Sequence, residues 1–583
     1  PSGLMVAWAA FDTAAAAVQS GGANVLFNST LGLGDALTVT AGAITISGAV
    51  SGAQALTLTS GGPTALAAIG TAVTPLTSLT VDGTGALTLN GSVYAELMTV
   101  TPNVTLGASI TLGDLVNGAA DPDLDFAGTV GGAFDLTLAA AGETRFQLAV
   151  GPLGDGTGAS LIQAGSGAVT FANTVTTAQG ITQSGSGTIT YRGDVTVNGS
   201  DTPSDYQNTV ILDGLVYSSA GDTSFGSDGT DALTLSGGDV TLGGAGAYTV
   251  NAAVGGLFDL TLSGAGNKGF NAAVGTIGDN TGASLIQAGS GAVTFANTLT
   301  TAQGITQSGT GTITYQGNVT VNGSDTPSDY QNTVILDGLV YSSAGDTSFG
   351  SDGTDALTLS GGDVTLGGAG AYTVNAAVGG LFDLTLSGAG NKGFNAAVGT
   401  IGDNTGASLI QAGSGAVTFA NTLTTAQGIT QSGTGTITYR DNVTVNGSGT
   451  PSAYQNSVVL DGLVYTSAGA TTFGSDATDA LTLSGGDVEL TGAGAYAMNA
   501  LTNGAVGLTL SGNGTKTFAD GAVIGGTTQP TGLTQAAGSG LLTMNDDASI
   551  DGDITLNGSL TATDLTLSCT GSLAIGDAAA DAF

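Results

Sequence analysis

Apolar and polar residues alternate along most of this chain in short segments. In segments such as DLTLSG, AVTFANT and TITYQG, Val, Leu, Ile or Phe occupies every second position and Thr, Ser, Asn or Asp lies between them. This alternation predicts strands with one face buried and the other in solvent. Gly-Ser, Gly-Gly and Ala-Gly pairs separate the segments and predict tight turns. The pattern therefore predicts an all-β fold of many short strands.

The segments belong to a sequence repeat of 124 residues. The phrase TGASLIQAGSGAVTFANT recurs with its first leucine at Leu161, Leu285 and Leu409, and in degenerate form at Leu533. The only three lysines keep the same interval. Self-similarity at a fixed interval is the signature of repeat architectures, in which each unit packs on its neighbours.

The repeat divides the chain into five parts. They are a divergent N-terminal solenoid segment (1–130), repeat 1 (131–254), repeat 2 (255–378), repeat 3 (379–502) and a degenerate partial repeat (503–583). Within the first part, residues 4–18 are rich in Ala and contain no Gly. We interpret them either as an amphipathic helix that caps the first coil or as a further strand, since an open coil exposes unpaired backbone groups.

Six apolar anchors mark a shorter interval inside one repeat: Leu260, Leu285, Ile305, Val334, Leu357 and Leu384. The steps between successive anchors are unequal, the two longest end at Val334 and Leu384, and together the steps span one repeat. We therefore predict an elongated β-solenoid, a parallel β-helix with about 25 residues per coil and five coils per 124-residue repeat. The alternative is a row of β-sandwich domains, but these favour longer strands and an aromatic core, and Trp8 is the only Trp.

Charge is sparse and one-sided. There are 6 Lys and Arg residues against 44 Asp and Glu residues and no His, which gives a formal net charge of −38. Such a surface repels nucleic acid and anionic membranes, so we expect neither as a partner. Cys569 is the only cysteine, so no intrachain disulfide can form, and no apolar run is long enough to span a membrane as a helix.

Catalysis is not expected. Without His there is neither a histidine base for a nucleophile nor a histidine-ligated zinc site. Copies 158–281 and 282–405 differ at only four positions, whereas a catalytic centre needs one unique constellation. The enzymatic alternative is a polysaccharide-processing β-helix that uses paired carboxylates.

Recurring aspartates are candidate calcium ligands, because carboxylate oxygen is the ligand that Ca²⁺ prefers. They are Asp228, Asp231 and Asp239, then Asp352, Asp355 and Asp363, then Asp476, Asp479 and Asp487. If the repeats align, these carboxylates form a ladder whose repulsion Ca²⁺ relieves. The alternative is turn chemistry, in which each Asp accepts hydrogen bonds from its own backbone.

A second candidate is the segment NGSDTPSDYQN, which we interpret as a surface loop that either contacts a neighbour or ligand or is a plain connection without such a role. Its candidate residues are Asp201, Asp205 and Tyr206 in one copy and Asp325, Asp329 and Tyr330 in the next. In the third copy Gly449 and Ala453 replace the two acids, so metal binding here is not shared by all repeats.

Three segments resemble bacterial surface β-strand-repeat proteins, including haemagglutinin-like and autotransporter-passenger β-helices and Gly/Thr/Asp-rich surface-layer proteins. They are LTLSGAGNKGF (260–270), ALTLSGGDVTLGGAG (356–370) and GSGTITYRGDVTVNG (185–199). The resemblance implies secretion and display at the cell surface. We therefore expect an extracellular structural protein that assembles with copies of itself into a surface layer, sheath or filament, in contact with cell-envelope polysaccharide. The alternative is an adhesin stalk that binds a host or neighbouring cell.

Overall fold

The computed structural model of the chain describes residues 11–12, 16–114 and 122–576. These residues wind into a parallel β-solenoid of about 26 turns, with successive turns roughly 21 residues apart and no helix. The all-β solenoid predicted from the sequence is therefore confirmed. The chain divides into a first unit (1–279 with 284–297) and a second unit (280–283 with 298–583).

Three parallel sheets form the sides of the first unit, and each coil contributes one strand or bridge to each sheet. Face 1 consists of Phe11–Asp12, Leu31–Gly32, Val50–Ser51, Val93–Tyr94, Ile110–Gly113, Leu136–Leu138, Leu161–Gln163, Ile181–Gln183, Ser204–Tyr206, Thr223–Phe225, Tyr248–Val250, Lys268–Phe270 and Val293–Phe295. Face 2 consists of Ala16–Gln19, Leu37–Ala41, Ala55–Ser60, Ser78–Gly83, Met98–Val100, Leu124–Phe126, Thr144–Phe146, Val169–Phe171, Ile189–Tyr191, Val210–Asp213, Ala232–Ser236, Ala253–Gly256 and Val274–Ile277. Face 3 consists of Val25–Phe27, Ile44–Ile46, Thr64–Leu66, Leu87–Leu89, Val104–Leu106, Val130–Gly132, Val150–Leu153, Val175–Thr177, Val195–Val197, Val216–Ser219, Val240–Gly243, Leu260–Leu262 and Leu285–Gln287.

The second unit has the same construction. Face 4 consists of Leu299–Thr301, Val319–Val321, Val340–Ser343, Val364–Gly367, Leu384–Leu386, Leu409–Gln411, Ile429–Gln431, Ser452–Tyr454, Thr471–Phe473, Tyr496–Met498, Lys516–Phe518, Leu542–Met544 and Leu560–Ala562. Face 5 consists of Ile305–Gln307, Ser328–Tyr330, Thr347–Phe349, Tyr372–Val374, Lys392–Phe394, Val417–Phe419, Ile437–Tyr439, Val458–Asp461, Ala480–Ser484, Leu501–Gly504, Ala548–Ile550 and Leu567–Cys569. Face 6 consists of Ile313–Tyr315, Val334–Asp337, Ala356–Ser360, Ala377–Gly380, Val398–Ile401, Leu423–Thr425, Val443–Val445, Val464–Ser467, Val488–Thr491, Gly507–Leu510, Gly532–Gln535, Asp553–Leu556 and Leu573–Ile575.

Most strands are three residues long because that length places two apolar side chains inside the coil and one polar side chain outside. In Leu384–Leu386 both leucines are buried and Thr385 is partly exposed. In-register parallel pairing then stacks Leu384 on Leu409 and Leu409 on Ile429. Side chains alternate across a strand, so every coil adds its apolar pair to one continuous interior.

The interior contains more aromatic side chains than the sequence analysis anticipated. Twelve of the 13 tyrosines are fully buried. In the first unit Phe126, Phe146 and Phe171 stack with ring centroids 5.0 and 5.1 Å apart. Stacked rings at the spacing of adjacent strands add to the burial of each coil. A low aromatic content is therefore compatible with an aromatic core, because most of the described aromatic side chains are buried.

The predicted coil size is wrong. Val334 and Leu384 both lie four strands after the preceding anchor, so the two longest steps each contain one strand more than a coil does. One repeat, from Leu384–Leu386 to Gly507–Leu510, advances by 17 strands, which at three strands per coil is five and two-thirds coils. The repeat therefore does not return to its starting face.

This shift by one face is visible in both units. In the first unit Leu136–Leu138 lies in face 1, and its equivalent Leu260–Leu262 lies in face 3. In the second unit Leu384–Leu386 lies in face 4, and its equivalent Gly507–Leu510 lies in face 6. Sequence-equivalent features therefore occupy different sides of the solenoid within each unit.

The N-terminal segment proposed as a cap is described only in part. Phe11–Asp12 and Ala16–Gln19 are strands that pair in parallel with Leu31–Gly32 and Leu37–Ala41. These residues are therefore strand and not helix, and the rest of residues 4–18 lies outside the described part of the chain.

Candidate functional site

The first two aspartates of each predicted calcium set shape a turn. Oδ1 of Asp228 accepts hydrogen bonds from the amide and the hydroxyl of Thr230, at 2.8 and 2.6 Å. Oδ2 of Asp231 accepts from the amide and the hydroxyl of Ser227, both at 2.8 Å. The Thr230 bonds lower the pKa of Asp228. These carboxylate oxygens satisfy the backbone before the strand Ala232–Ser236, as the turn alternative predicts.

The other two sets form the same turns: Asp352 with Thr354, Asp355 with Ser351, Asp476 with Thr478 and Asp479 with Ser475. The turn that contains Asp352 precedes a strand of face 6, whereas the turn that contains Asp476 precedes a strand of face 5. The predicted carboxylate ladder from repeat to repeat is therefore wrong within the second unit, because the repeat is not a whole number of coils.

The predicted interaction loop is mostly part of a coil. Ser204–Tyr206 is a strand of face 1, and Tyr206 and Tyr330 are fully buried. The prediction that these two tyrosines contact a partner is therefore wrong. Asp201 and Asp325 lie exposed in the connecting turns. Asp205 and Asp329 are partly exposed, and each accepts a hydrogen bond of 3.1 Å from the glutamine two residues later.

Beside the turns of Asp228 and Asp352 lie two shallow grooves of about 450 Å³ each. The first is lined by Ser227, Asp228, Gly229, Asn251, Ala253, Asn271, Ala272, Ala273 and Asn297, and the second by their equivalents one repeat later. Asparagine side chains line up along each groove, and Nδ2 of Asn271 donates to Oδ1 of Asn251 at 2.8 Å. The grooves thus present amide, hydroxyl and carboxylate groups over a floor of alanines.

Aspartates that recur from one coil to the next form a column that the sequence analysis missed. In the second unit it consists of Asp363, Asp383 and Asp403, and in the first unit of Asp239, Asp259 and Asp279. Oδ1 of Asp363 accepts the amide of Asp383 at 3.1 Å, and the carboxylate of Asp383 accepts the amide of Asp403. We call each set an aspartate column. In the sequence the three aspartates of each column are spaced one coil apart. This spacing was missed because the anchors predicted a longer coil.

The middle member of each column is buried. Asp259 and Asp383 are 9% and 8% exposed, and Oδ1 of each is enclosed without a hydrogen-bond partner. Burial raises the pKa of Asp383 to about 6, and repulsion from Asp363 and Asp403 acts in the same direction. The pKa of Asp259 is likewise raised to about 6, by burial first and by Asp239 and Asp279 next.

The six cationic side chains offset little of the negative charge on the outside. Lys268, Lys392 and Lys516 are at most 2% exposed, and Nζ of Lys392 donates to the carbonyl of Gly390 at 2.6 Å inside the coil. Each arginine is paired with an aspartate on an adjacent strand: Arg145 with Asp125, Arg192 with Asp213 and Arg440 with Asp461. The exterior therefore carries an uncompensated negative charge.

Within residues 11–12, 16–114 and 122–576, no group of three or more His, Cys, Asp or Glu side chains is arranged to hold a metal ion. The same residues include no helix long and apolar enough to cross a membrane. No protein-family model, curated protein or solved structure matches the chain. The fold alone assigns its class, which is that of the parallel β-solenoids built from tandem repeats.

Proposed function

We propose that the chain is an extracellular structural protein that assembles with copies of itself at a cell surface, as the subunit of a surface layer, sheath or filament. Its resemblance to bacterial surface β-strand-repeat proteins supports secretion and display. The uninterrupted stacking of coils within each unit supports a mechanical role, because stability is distributed over many equivalent coils instead of one centre.

The observation that carries the proposal is the shift of one face per repeat. Within the second unit, successive copies of the repeat present the equivalent turns of Asp352 and Asp476 on different sides of the solenoid. A surface that recurs on several sides suits a subunit with neighbours in several lateral directions. An adhesin that engages one target would be served better by a single distinct face.

Charge sets the condition under which such copies associate. The chain carries a net charge of −38, its lysines are buried and its arginines are paired. Copies therefore repel one another at low ionic strength. We propose that divalent cations, with Ca²⁺ the best match to carboxylate oxygens, bridge the exposed aspartates of neighbouring copies.

Electron microscopy and sedimentation of the purified chain test this function. We expect ordered sheets or filaments at high protein concentration with CaCl₂, and dispersal when EDTA removes the ion. NaCl of equal ionic strength is the control that separates bridging by Ca²⁺ from simple screening. Monodisperse particles under all these conditions would refute self-assembly, and assembly in NaCl alone would refute the role of calcium.

The grooves support a second candidate function, the binding of cell-envelope polysaccharide. Amide, hydroxyl and carboxylate groups over a small-residue floor match the hydroxyl groups of a sugar chain. The test is cosedimentation with purified envelope polysaccharide, comparing the unaltered chain with the variant Asn271→Ala/Asn395→Ala. Equal binding of the polysaccharide by the unaltered chain and the variant would exclude the grooves as the binding site.

A further inference from the structure

The aspartate columns hold two carboxyl groups that neither the turns nor the proposed assembly use. Oδ1 of Asp383 lies inside the protein without a donor, although its carboxylate accepts the amide of Asp403. A buried carboxylate oxygen with no partner is costly when it is ionised, so the site favours a species that neutralises it.

The charged groups that act on Asp383 are all of the same sign. Asp363 lies on the preceding coil and Asp403 on the following coil, and no lysine or arginine contributes. The strands on either side, Val364–Gly367 and Leu409–Gln411, contain no titratable side chain. The backbone amide of Asp403 is therefore the group that favours an ionised Asp383, and no positively charged side chain acts on it.

The space beside Oδ1 of Asp383 is compatible with a neutral carboxyl group. A Cβ atom placed on Gly402 would overlap the hydroxyl of Ser408 and lie 3.2 Å from Oδ1 of Asp383, so both oxygens face the same small space. The Ser408 hydroxyl accepts the amide of Gln427 at 2.8 Å. A proton on Oδ1 of Asp383 would therefore face the same small space as the hydroxyl oxygen of Ser408.

Other copies of the repeat show whether the coil requires the buried carboxyl group. Asp135, at the equivalent position in repeat 1, also has an enclosed Oδ1 without a partner. In the C-terminal copy Gly507 and Thr527 stand where Asp383 and Asp403 stand, and the amide of Gly507 still donates to Asp487 at 2.7 Å. The coil thus forms without the buried carboxyl group, so Asp383 is not required for winding.

We propose that Asp259 and Asp383 are proton-binding sites of the solenoid, which take up protons in mildly acidic medium and thereby strengthen the coils around them. The pKa of about 6 for each group supports this placement. Because the folded pKa lies above the ordinary value of 3.8, the folded state binds more protons than the unfolded state between these values. The contribution of these two groups to stability therefore rises as the pH falls from above 6 towards 4. The proposal is independent of self-assembly.

The test uses the full chain and the double variant Asp259→Asn/Asp383→Asn, in which each amide keeps an oxygen to accept the following backbone amide. Infrared spectra follow the C=O stretch of the neutral carboxyl group as the pH is lowered. We expect a band in the unaltered chain that grows through about pH 6 and falls by more than half in the double variant. The control Asp201→Asn/Asp325→Asn removes two exposed charges and should retain the band.

Thermal unfolding gives the second measurement. The double variant should unfold at a higher temperature than the unaltered chain at about pH 7.5, and this difference should disappear at about pH 4.5. If the infrared band does not grow between about pH 7 and pH 6, the proposal is wrong even if the double variant fails to fold. If CaCl₂ at about pH 7.5 raises the midpoint of the unaltered chain but not that of the double variant, the column binds calcium instead of protons and the proposal is wrong.

Discussion

A chain of buried tyrosine hydroxyl groups crosses the interior of the second unit, and its disruption should be strongly non-additive. The hydroxyl of Tyr454 lies 2.9 Å from that of Tyr439 and 3.0 Å from that of Tyr465. All three side chains are at most 1% exposed. Tyr465 has further partners in Ser452 and Thr471, whereas Tyr439 shares its hydroxyl hydrogen bond with Tyr454.

The magnitudes follow from these partners. Tyr439→Phe removes one hydrogen bond and leaves Tyr454 bonded to Tyr465, so we expect a loss of about 1 kcal/mol. Tyr454→Phe removes two hydrogen bonds and leaves the Tyr439 hydroxyl buried without a partner, so we expect a loss of about 2–3 kcal/mol. The double variant no longer contains that stranded hydroxyl. Its loss should therefore be about 1 kcal/mol smaller than the sum of the single losses.

Hydrogen exchange followed by mass spectrometry is the appropriate assay, because it measures the opening of individual coils. Peptides from residues 435–470 report the local free energy of opening around the substitutions. Peptides from residues 311–346, the equivalent segment of the preceding copy, provide a control within the same molecule. Strict additivity of the two substitutions, within about 0.3 kcal/mol, would refute the reasoning, since it would mean that Tyr439 has another partner.

Two further substitutions test the packing of the coils. Lys392→Met should raise stability by about 1–2 kcal/mol at neutral pH, because it removes a buried amine that donates to the carbonyl of Gly390. A lowered thermal midpoint would contradict this. Gly388→Ala should lower stability by more than about 1 kcal/mol, because Gly388 has φ of +78° and a Cβ would overlap the carbonyl oxygen of Gly368. Gly379→Ala, where a Cβ meets open space, is the matched control, and equal melting of the two alanine variants would contradict the argument.

The sites show how far sequence reasoning extends and where it stops. Turn formation by Asp228 was foreseen, because an aspartate followed two residues later by threonine needs only local geometry. The alignment of Asp352 with Asp476 was not foreseen correctly, because it depends on how many strands make one coil. The burial of Tyr206 was also missed, because the segment that contains it was interpreted as a loop outside the coil, whereas it supplies a strand of the coil.

The aspartate column is a feature whose properties depend on the stacking of coils and not on the local sequence. Asp363, Asp383 and Asp403 are ordinary turn residues in the sequence, and nothing local distinguishes the middle one. Only the stacking of three coils places one carboxylate between two others and away from water. The raised pKa of Asp383 is therefore a property of the tertiary structure.

The class of fold, the repeat and the sign of the surface charge could all be inferred from the amino-acid sequence alone. Alternation along a strand, glycine at turns and a preponderance of aspartate are local or compositional properties, and they persist however the coils are arranged. That 17 strands make one repeat, and that successive copies change face, became visible in the folded chain. The number of strands per coil depends on how the backbone turns around packed side chains from different segments, and this constraint is not contained in any single segment.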